Sequence, residues 1–352
     1  MGTQWVLQTN GNPLATVRKF LGEVWLRDNL EGMLIPAYDH NLLCTQPLLL
    51  EVPSQLENAD PFLPLTLVEI AGYAVQLAKQ RPDAHLGIIL RSCENRTLEY
   101  FLQSPLIARR AGVPLSNWLI ISVDCLSSYP VEDYTWRFNK SGSTEPMTHE
   151  SLNFARRGGI APYRYRPACQ MCTLPAAQEA DLVIGLLGLP VFEEILIITK
   201  DQATADRLDL SRITNNPASP ALITRRSQMI ETLNERRSNF WKRAVSELSN
   251  DMPGGSRTGS LGYKPQVAEF IEMLRNCAPC QACLEACPIY DSELLFRKGL
   301  YFNPEMSCDE GSDQITIICH WLAACISCGM CEDVCPKHKP LTAVIGRIRD
   351  KF

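Results

Sequence analysis

A cysteine run that occurs twice limits this chain more than anything else in it. Cys277-x2-Cys280-x2-Cys283-x3-Cys287-Pro288 recurs as Cys325-x2-Cys328-x2-Cys331-x3-Cys335-Pro336. Three thiolates at this spacing on one loop can each reach a different iron of a [4Fe–4S] cube. The fourth iron needs a thiolate from further away. Zinc ribbons pair C-x2-C knuckles and do not use four-cysteine runs that end in Cys-Pro.

The spacing is that of bacterial two-cluster ferredoxins, in which the fourth cysteine of each run ligates the other cluster. On that pattern Cys277, Cys280, Cys283 and Cys335 are expected on one cluster. Cys325, Cys328, Cys331 and Cys287 are expected on the other. The prolines at 288 and 336 turn the chain away after each fourth cysteine. The stretch between the runs is longer than a compact ferredoxin needs. It holds Cys308 and Cys319, which lack motif spacing and read as ordinary thiols, and His320, which reads as a packed histidine.

The other cysteines do not resemble a disulfide framework, although the chain has 15 in 352 residues. Met1 to Pro13 shows no basic stretch followed by an apolar core, so no secretory signal is visible. A reducing, cytoplasmic setting follows, where clustered cysteines are metal ligands or redox groups. The most apolar stretch, Ala180 to Thr199, contains Asp181, Pro190, Glu193 and Glu194, so no membrane span is expected. A net charge of −5 argues against a nucleic-acid binder. With 45% hydrophobic and 21% charged residues, the chain is expected to pack a core.

Three regions are expected: an α/β domain over 1–250, a Gly/Ser-rich linker over 251–264, and a two-cluster ferredoxin domain over 265–352. Within the first, Gly32 to Ala37 and Pro47 to Val52 read as strands. Thr66 to Lys79 has helical periodicity, with Leu67, Ile70, Ala71, Ala74 and Ala78 on one face. Leu86 to Arg91 reads as a buried strand, Glu94 to Gln103 as a helix, and Trp118 to Val123 as a second buried strand. That order predicts a right-handed βαβ unit within a parallel or mixed sheet flanked by helices. Ser127 to Gly159 reads as a polar insertion or loop. Asp181 to Gly185 and Glu194 to Thr199 read as strands. A long helix is expected from Ser227 to Leu248, with Met229, Ile230, Leu233, Phe240, Trp241, Ala244 and Leu248 on its packed face.

Four scattered cysteines add a second signal. Cys93 and Cys125 each follow a buried strand, so parallel neighbours would carry both to one sheet edge, where ligands bind in open α/β sheets. Cys169-x2-Cys172 supplies two more thiolates. Together Cys93, Cys125, Cys169 and Cys172 would suffice for a third [4Fe–4S] cluster or a zinc. The alternative is that Cys93 and Cys125 are buried core cysteines. Cys44 has no partner on this argument. Gly158-Gly159, with Arg156, Arg157, Arg164 and Arg166 nearby, is either a pyrophosphate-binding loop or a solvated basic loop.

At these residues the chain resembles the beta subunits of coenzyme F-420-reducing hydrogenases and of formate dehydrogenases. The segments are Leu90-Arg-Ser-Cys-Glu-Asn-Arg96, Val123-Asp-Cys125, Arg166-Pro-Ala-Cys-Gln-Met-Cys172 and Ala180-Asp-Leu-Val-Ile-Gly185, with the C-terminal cysteine module. The resemblance implies that Cys93, Cys125, Cys169 and Cys172 surround a cluster near FAD. There are differences. The ferredoxin module follows the α/β domain here. No glycine-rich segment lies between Val17 and Leu50. Position 92 is Ser where the relatives have Pro. The function implied is an electron-transfer subunit, linking a formate dehydrogenase or hydrogenase partner and other electron-transfer subunits to a flavin or another carrier. Two alternatives remain open at this level. One is a stand-alone flavin iron–sulfur oxidoreductase acting on coenzyme F-420, a quinone or another acceptor. The other is a zinc-bearing scaffold with an appended ferredoxin.

Overall fold

The computed structural model describes residues 2–39, 44–67, 69–103, 115–159, 165–177, 180–251, 280, 282–289, 322 and 324–349. Of the linker expected over 251–264, Asp251 ends a helix; residues 252–264, Cys277, Cys308, Cys319, His320 and Arg164 lie outside the described residues. The chain divides into two units. One comprises Met1–Arg166 with Cys172–Arg236, and the other Pro167–Met171 with Arg237–Phe352.

The first unit is built on an eight-stranded sheet. Its strands are β1 (Gln4–Gln8), β2 (Gly32–Asp39), β3 (Cys44–Leu50), β4 (Leu86–Arg91), β5 (Leu119–Val123), β6 (Leu182–Gly185), β7 (Glu194–Thr199) and β8 (Asn216–Pro217). Their order across the sheet is β3-β2-β4-β5-β6-β7-β1-β8. The four central strands β2, β4, β5 and β6 run parallel. The pairs β2–β3, β6–β7, β7–β1 and β1–β8 are antiparallel, so the sheet is mixed.

Successive side chains of a strand face opposite ways, and the sheet is covered on both faces. In β2, Met33 and Ile35 join Val17, Phe20, Leu21 and Val24 of helix α1 (Pro13–Arg27). Leu34 points the other way, into a cluster with Ile70 and Ala74 of α2 (Glu69–Gln80) and Leu98 of α3 (Ser92–Gln103). Burying each large aliphatic side chain contributes about 1.5–3 kcal/mol. The unit β4-α3-β5 forms as its periodicity predicts, with β4 and β5 parallel neighbours.

Three features differ from the sequence reading. First, β1 and α1 were not anticipated. Asn12 caps α1 by accepting the Ala15 N–H at 3.1 Å, and Pro13 begins the helix. Second, Ser127 to Gly159 is not a loop. It forms helices Val131–Ser141 and Glu145–Asn153 and a short turn, Ala155–Arg157. Gly142, at φ 68, ends the first of these helices in the left-handed region. Their buried residues are partly polar: Tyr134 on the first, and Met147, Thr148, Ser151 and Leu152 on the second. Tyr134 bonds Thr45 at 3.2 Å, and the Thr148 hydroxyl donates to Asp60. Third, the long helix runs over Pro220–Asp251, starting about two turns before Ser227. Met229, Ile230 and Leu233 pack against the core and Trp241 lies against Gly346, as expected, but Phe240 is exposed and does not belong to the packed face.

In the second unit, helix Met330–Asp333 contacts both Ala282–Glu285 and Leu341–Arg349. Helix Leu341–Arg349 also packs on Pro167–Met171. Gly346 lies against the Trp241 ring; a Cβ there would stand 2.2 Å from a ring carbon. Among the described residues no helix is long and apolar enough to cross a membrane.

Candidate metal centre

The second unit contains a cavity lined by Cys287, Cys325, Cys328 and Cys331. Ile289, Leu322, Ile326 and Ile345 wall the remainder. Cys287 comes from the first run and the other three from the second. The loop closes around the cavity through left-handed residues, Ser327 at φ 57 and Gly329 at φ 75. The turn lets the Ser327 N–H donate to Cys325 Sγ at 3.4 Å. The Lys339 N–H donates to Cys335 Sγ at 3.4 Å, after His338 at φ 48. Glu332 accepts the Thr342 N–H at 2.8 Å and so ties the cysteine helix to the start of Leu341–Arg349.

Burial pushes the Cys331 thiol well above its usual range. Cys328, Cys325, Cys287 and Cys283 push it further in the same direction. Several thiolates in one apolar cavity repel one another unless a cationic group lies among them. Soft sulfur donors with N–H groups aimed at them form a donor set that fits an iron–sulfur cluster. Among the described residues, no three His, Cys, Asp or Glu side chains are set as the ligands of a single metal ion. The twelve described cysteines are thiols rather than disulfides. Of the other expected set, Cys335 is buried, Cys283 half-buried and Cys280 exposed.

The first unit brings three of the four scattered cysteines to one edge. Arg91 of β4 pairs with Val123 of β5, and Cys93 and Cys125 each lie two residues beyond that pair. The segment after Cys172 is stitched across these strand ends. The Ser92 hydroxyl donates to the Leu174 carbonyl. The Cys125 N–H donates to the Pro175 carbonyl at 2.8 Å, and the Ala177 N–H donates to Asp124 at 3.1 Å. Cys169 lies in helix Pro167–Met171, which belongs to the second unit.

Sequence reasoning did not find the buried polar groups at this edge. Arg91 donates to the Ser128 hydroxyl at 2.8 Å, and Ser128 also bonds Thr66 at 2.8 Å. Glu94 accepts the N–H groups of Arg91 at 2.8 Å and Leu67 at 3.0 Å. Burial raises the Glu94 pKa, against the pull of Arg91 and these two N–H groups. Burial likewise raises that of Asp60, against hydrogen bonds from Thr148 and the Phe62 N–H. An acidic residue two or three positions beyond an apolar strand was the available signal for Glu94.

The pyrophosphate reading of Gly158-Gly159 is corrected. Their N–H groups donate to the Ala155 and Phe154 carbonyls at 3.0 and 3.1 Å, so they are already used. A Cβ on Gly158 would meet Leu233 at 2.6 Å, and one on Gly159 would meet the Tyr165 hydroxyl at 2.6 Å. The two glycines permit close packing.

No family model matches the chain. Among solved structures it is similar to a chain of the F420-reducing [NiFe] hydrogenase complex from Methanosarcina barkeri, studied as a xenon derivative. The TM-score is 0.49 and the identity 10%, over 70% of this chain and 92% of that chain.

Proposed function

We propose that this chain is an iron–sulfur electron-transfer subunit of a larger redox complex. The observation that carries the reading is the apolar cavity shared by Cys287, Cys325, Cys328 and Cys331. It gathers one cysteine from the first run with three from the second. Bound [4Fe–4S] clusters would supply one-electron transfer. The protein's part is to hold and tune them. Cys325, Cys328, Cys331 and Cys287 hold one cluster. Cys277, Cys280, Cys283 and Cys335 hold the other. The Ser327 and Lys339 N–H groups stabilise negative charge on sulfur, which favours the reduced state. Ile289, Leu322, Ile326 and Ile345 keep water out.

A third cluster at Cys93, Cys125, Cys169 and Cys172 extends the relay into the α/β domain. The domain limits 1–250, 251–264 and 265–352 and a cytoplasmic setting belong to the same proposal. The resemblance in the cysteine segments extends it to FAD as a further carrier and to a formate dehydrogenase or hydrogenase as the catalytic partner.

The test is anaerobic purification of the full chain, with iron, sulfide, zinc and flavin quantified together. Three cubes require about twelve irons per chain with matching sulfide. About eight irons would remove the third cluster. Zinc in place of iron and sulfide would overturn the reading.

A further inference from the structure

We infer that Asp124 is a positioning residue for the cysteines at the sheet edge, holding the segment after Cys172 against the strand end that carries Cys125. The inference rests on the third cluster proposed above. The Asp124 carboxylate has 0% exposure and stands between Val123, the last residue of β5, and Cys125. Its two oxygens accept five hydrogen bonds. Oδ1 takes the Ala177 N–H at 3.1 Å and Arg226 Nη2 at 2.6 Å. Oδ2 takes the N–H groups of Leu186 at 2.9 Å and Leu187 at 3.2 Å, and Arg226 Nε at 2.7 Å.

The arrangement does more than close a core. Leu174, Pro175 and Ala177 are pinned almost in succession, by Ser92, by the Cys125 N–H and by Asp124. Two of these three ties come from residues adjacent to Cys93 and Cys125: Ser92 precedes the first and Asp124 the second. The third comes from Cys125 itself. Cys172 lies two residues before the first pinned position. The backbone distance from Cys172 to the other two cysteines is therefore set by these contacts. Ligands of a cluster need such support, because small displacements loosen the site. The bidentate Arg226 guanidinium fixes the plane of the carboxylate and thus its aim at both backbone segments. Burial disfavours the Arg226 charge, and the Asp124 charge more than offsets this, raising its pKa.

Asp124→Asn keeps the side-chain size but leaves one acceptor oxygen where two are needed. Either Ala177 or the Leu186–Leu187 turn then loses its partner. The experiment compares full-length protein, prepared anaerobically, as wild type, Cys172→Ala, Asp124→Asn, Asp124→Asn/Arg226→Gln and Ser92→Ala. Iron per chain, redox-titrated electron paramagnetic resonance and melting temperature are read for each. Cys172→Ala is expected to lose about four irons and one signal, which identifies the third cluster. Asp124→Asn is expected to lose or shift that same signal and leave the other two in place. The double variant removes the unpaired Arg226 charge, so its melting temperature recovers while the third signal stays altered. Ser92→Ala is expected to shift the same signal less. If Cys172→Ala keeps every iron and signal, the third cluster itself is wrong. If Cys172→Ala removes a signal that both Asp124 variants leave unchanged, or that the double variant restores together with stability, Asp124 is a structural residue only.

Discussion

At the centre of the sheet unit lie fully buried aliphatic side chains, among them Met33, Ile35, Ile88, Ile121 and Ile197, whereas the buried centre of the second unit is Cys328, Cys331 and Cys335 with Leu322 and Ile345 around them. The sheet unit has a core on each face, filled by α1 on one side and by α2 and α3 on the other. In the second unit the described helices Ala282–Glu285 and Met330–Asp333 are four residues each, too short to be stable without what they surround. Two kinds of information are thus written into one chain. Hydrophobic periodicity specifies the first unit, whose two apolar cores include no cysteine. Cysteine spacing specifies the second, whose folding would be linked to the clusters proposed for it.

The most disruptive test is Cys331→Ala. It should cost about four irons per chain and make the region after Arg236 sensitive to protease, while the sheet unit keeps its melting transition. Simultaneous melting of both units would break the comparison. The reciprocal change is Ile121→Ala in the fully buried centre of β5. It should cost about 2–5 kcal/mol in denaturant unfolding of the sheet unit. Iron held by the two runs should remain, at about eight per chain.

A smaller effect is expected at Gly346, where a Cβ would stand 2.2 Å from the Trp241 ring. Gly346→Ala must push the helix Leu341–Arg349 away, at a cost of about 1–3 kcal/mol. Ile345 lines the thiol cavity, so the resonance of the cluster there should broaden or shift as well. Unchanged resonance with lowered stability would show that the helix moves without disturbing the cavity.

The smallest effect concerns Asp60 and pH. Burial raises its pKa above 3.8, despite hydrogen bonds from Thr148 and Phe62 and the charges of Arg18 and Arg91. The folded state therefore holds this proton more tightly than the unfolded chain. Its contribution is greatest below the ordinary carboxylate pKa and is lost as pH rises through the raised one. Asp60→Asn should flatten the fall in melting temperature across that interval. An unchanged slope would place the titration elsewhere.

Much of the sheet was legible because its strands are short apolar runs bounded by polar residues. Leu86–Arg91 and Glu194–Thr199 form strands with the bounds read from sequence. Helix α1 carries its own sequence signal: Asn12-Pro13, then Val17, Phe20, Leu21 and Val24 at helical spacing. The helices at Val131–Ser141 and Glu145–Asn153 were hidden for a physical reason. Polar residues share their inward sides, Tyr134 bonded to Thr45 and Thr148 to Asp60 beside Met147 and Leu152, so the apolar period is broken. At the sheet edge, the strand-following positions of Cys93 and Cys125 were legible, because parallel strands leave from one side. Asp124 was not, since its partners at 177, 186, 187 and 226 meet only in the folded chain.

Whether the second run's cluster takes Cys287 as its fourth ligand is decided by Cys287→Ser. Cys328→Ala first identifies, by its loss, the resonance of the cluster held by the second run. A serine oxygen can still ligate iron, so Cys287→Ser should shift the potential of that resonance or make its cluster labile. The resonance of the cluster held by Cys277, Cys280 and Cys283 should stay as it is. Disturbance of that first-run resonance alone would contradict crossed ligation and assign each run its own fourth cysteine.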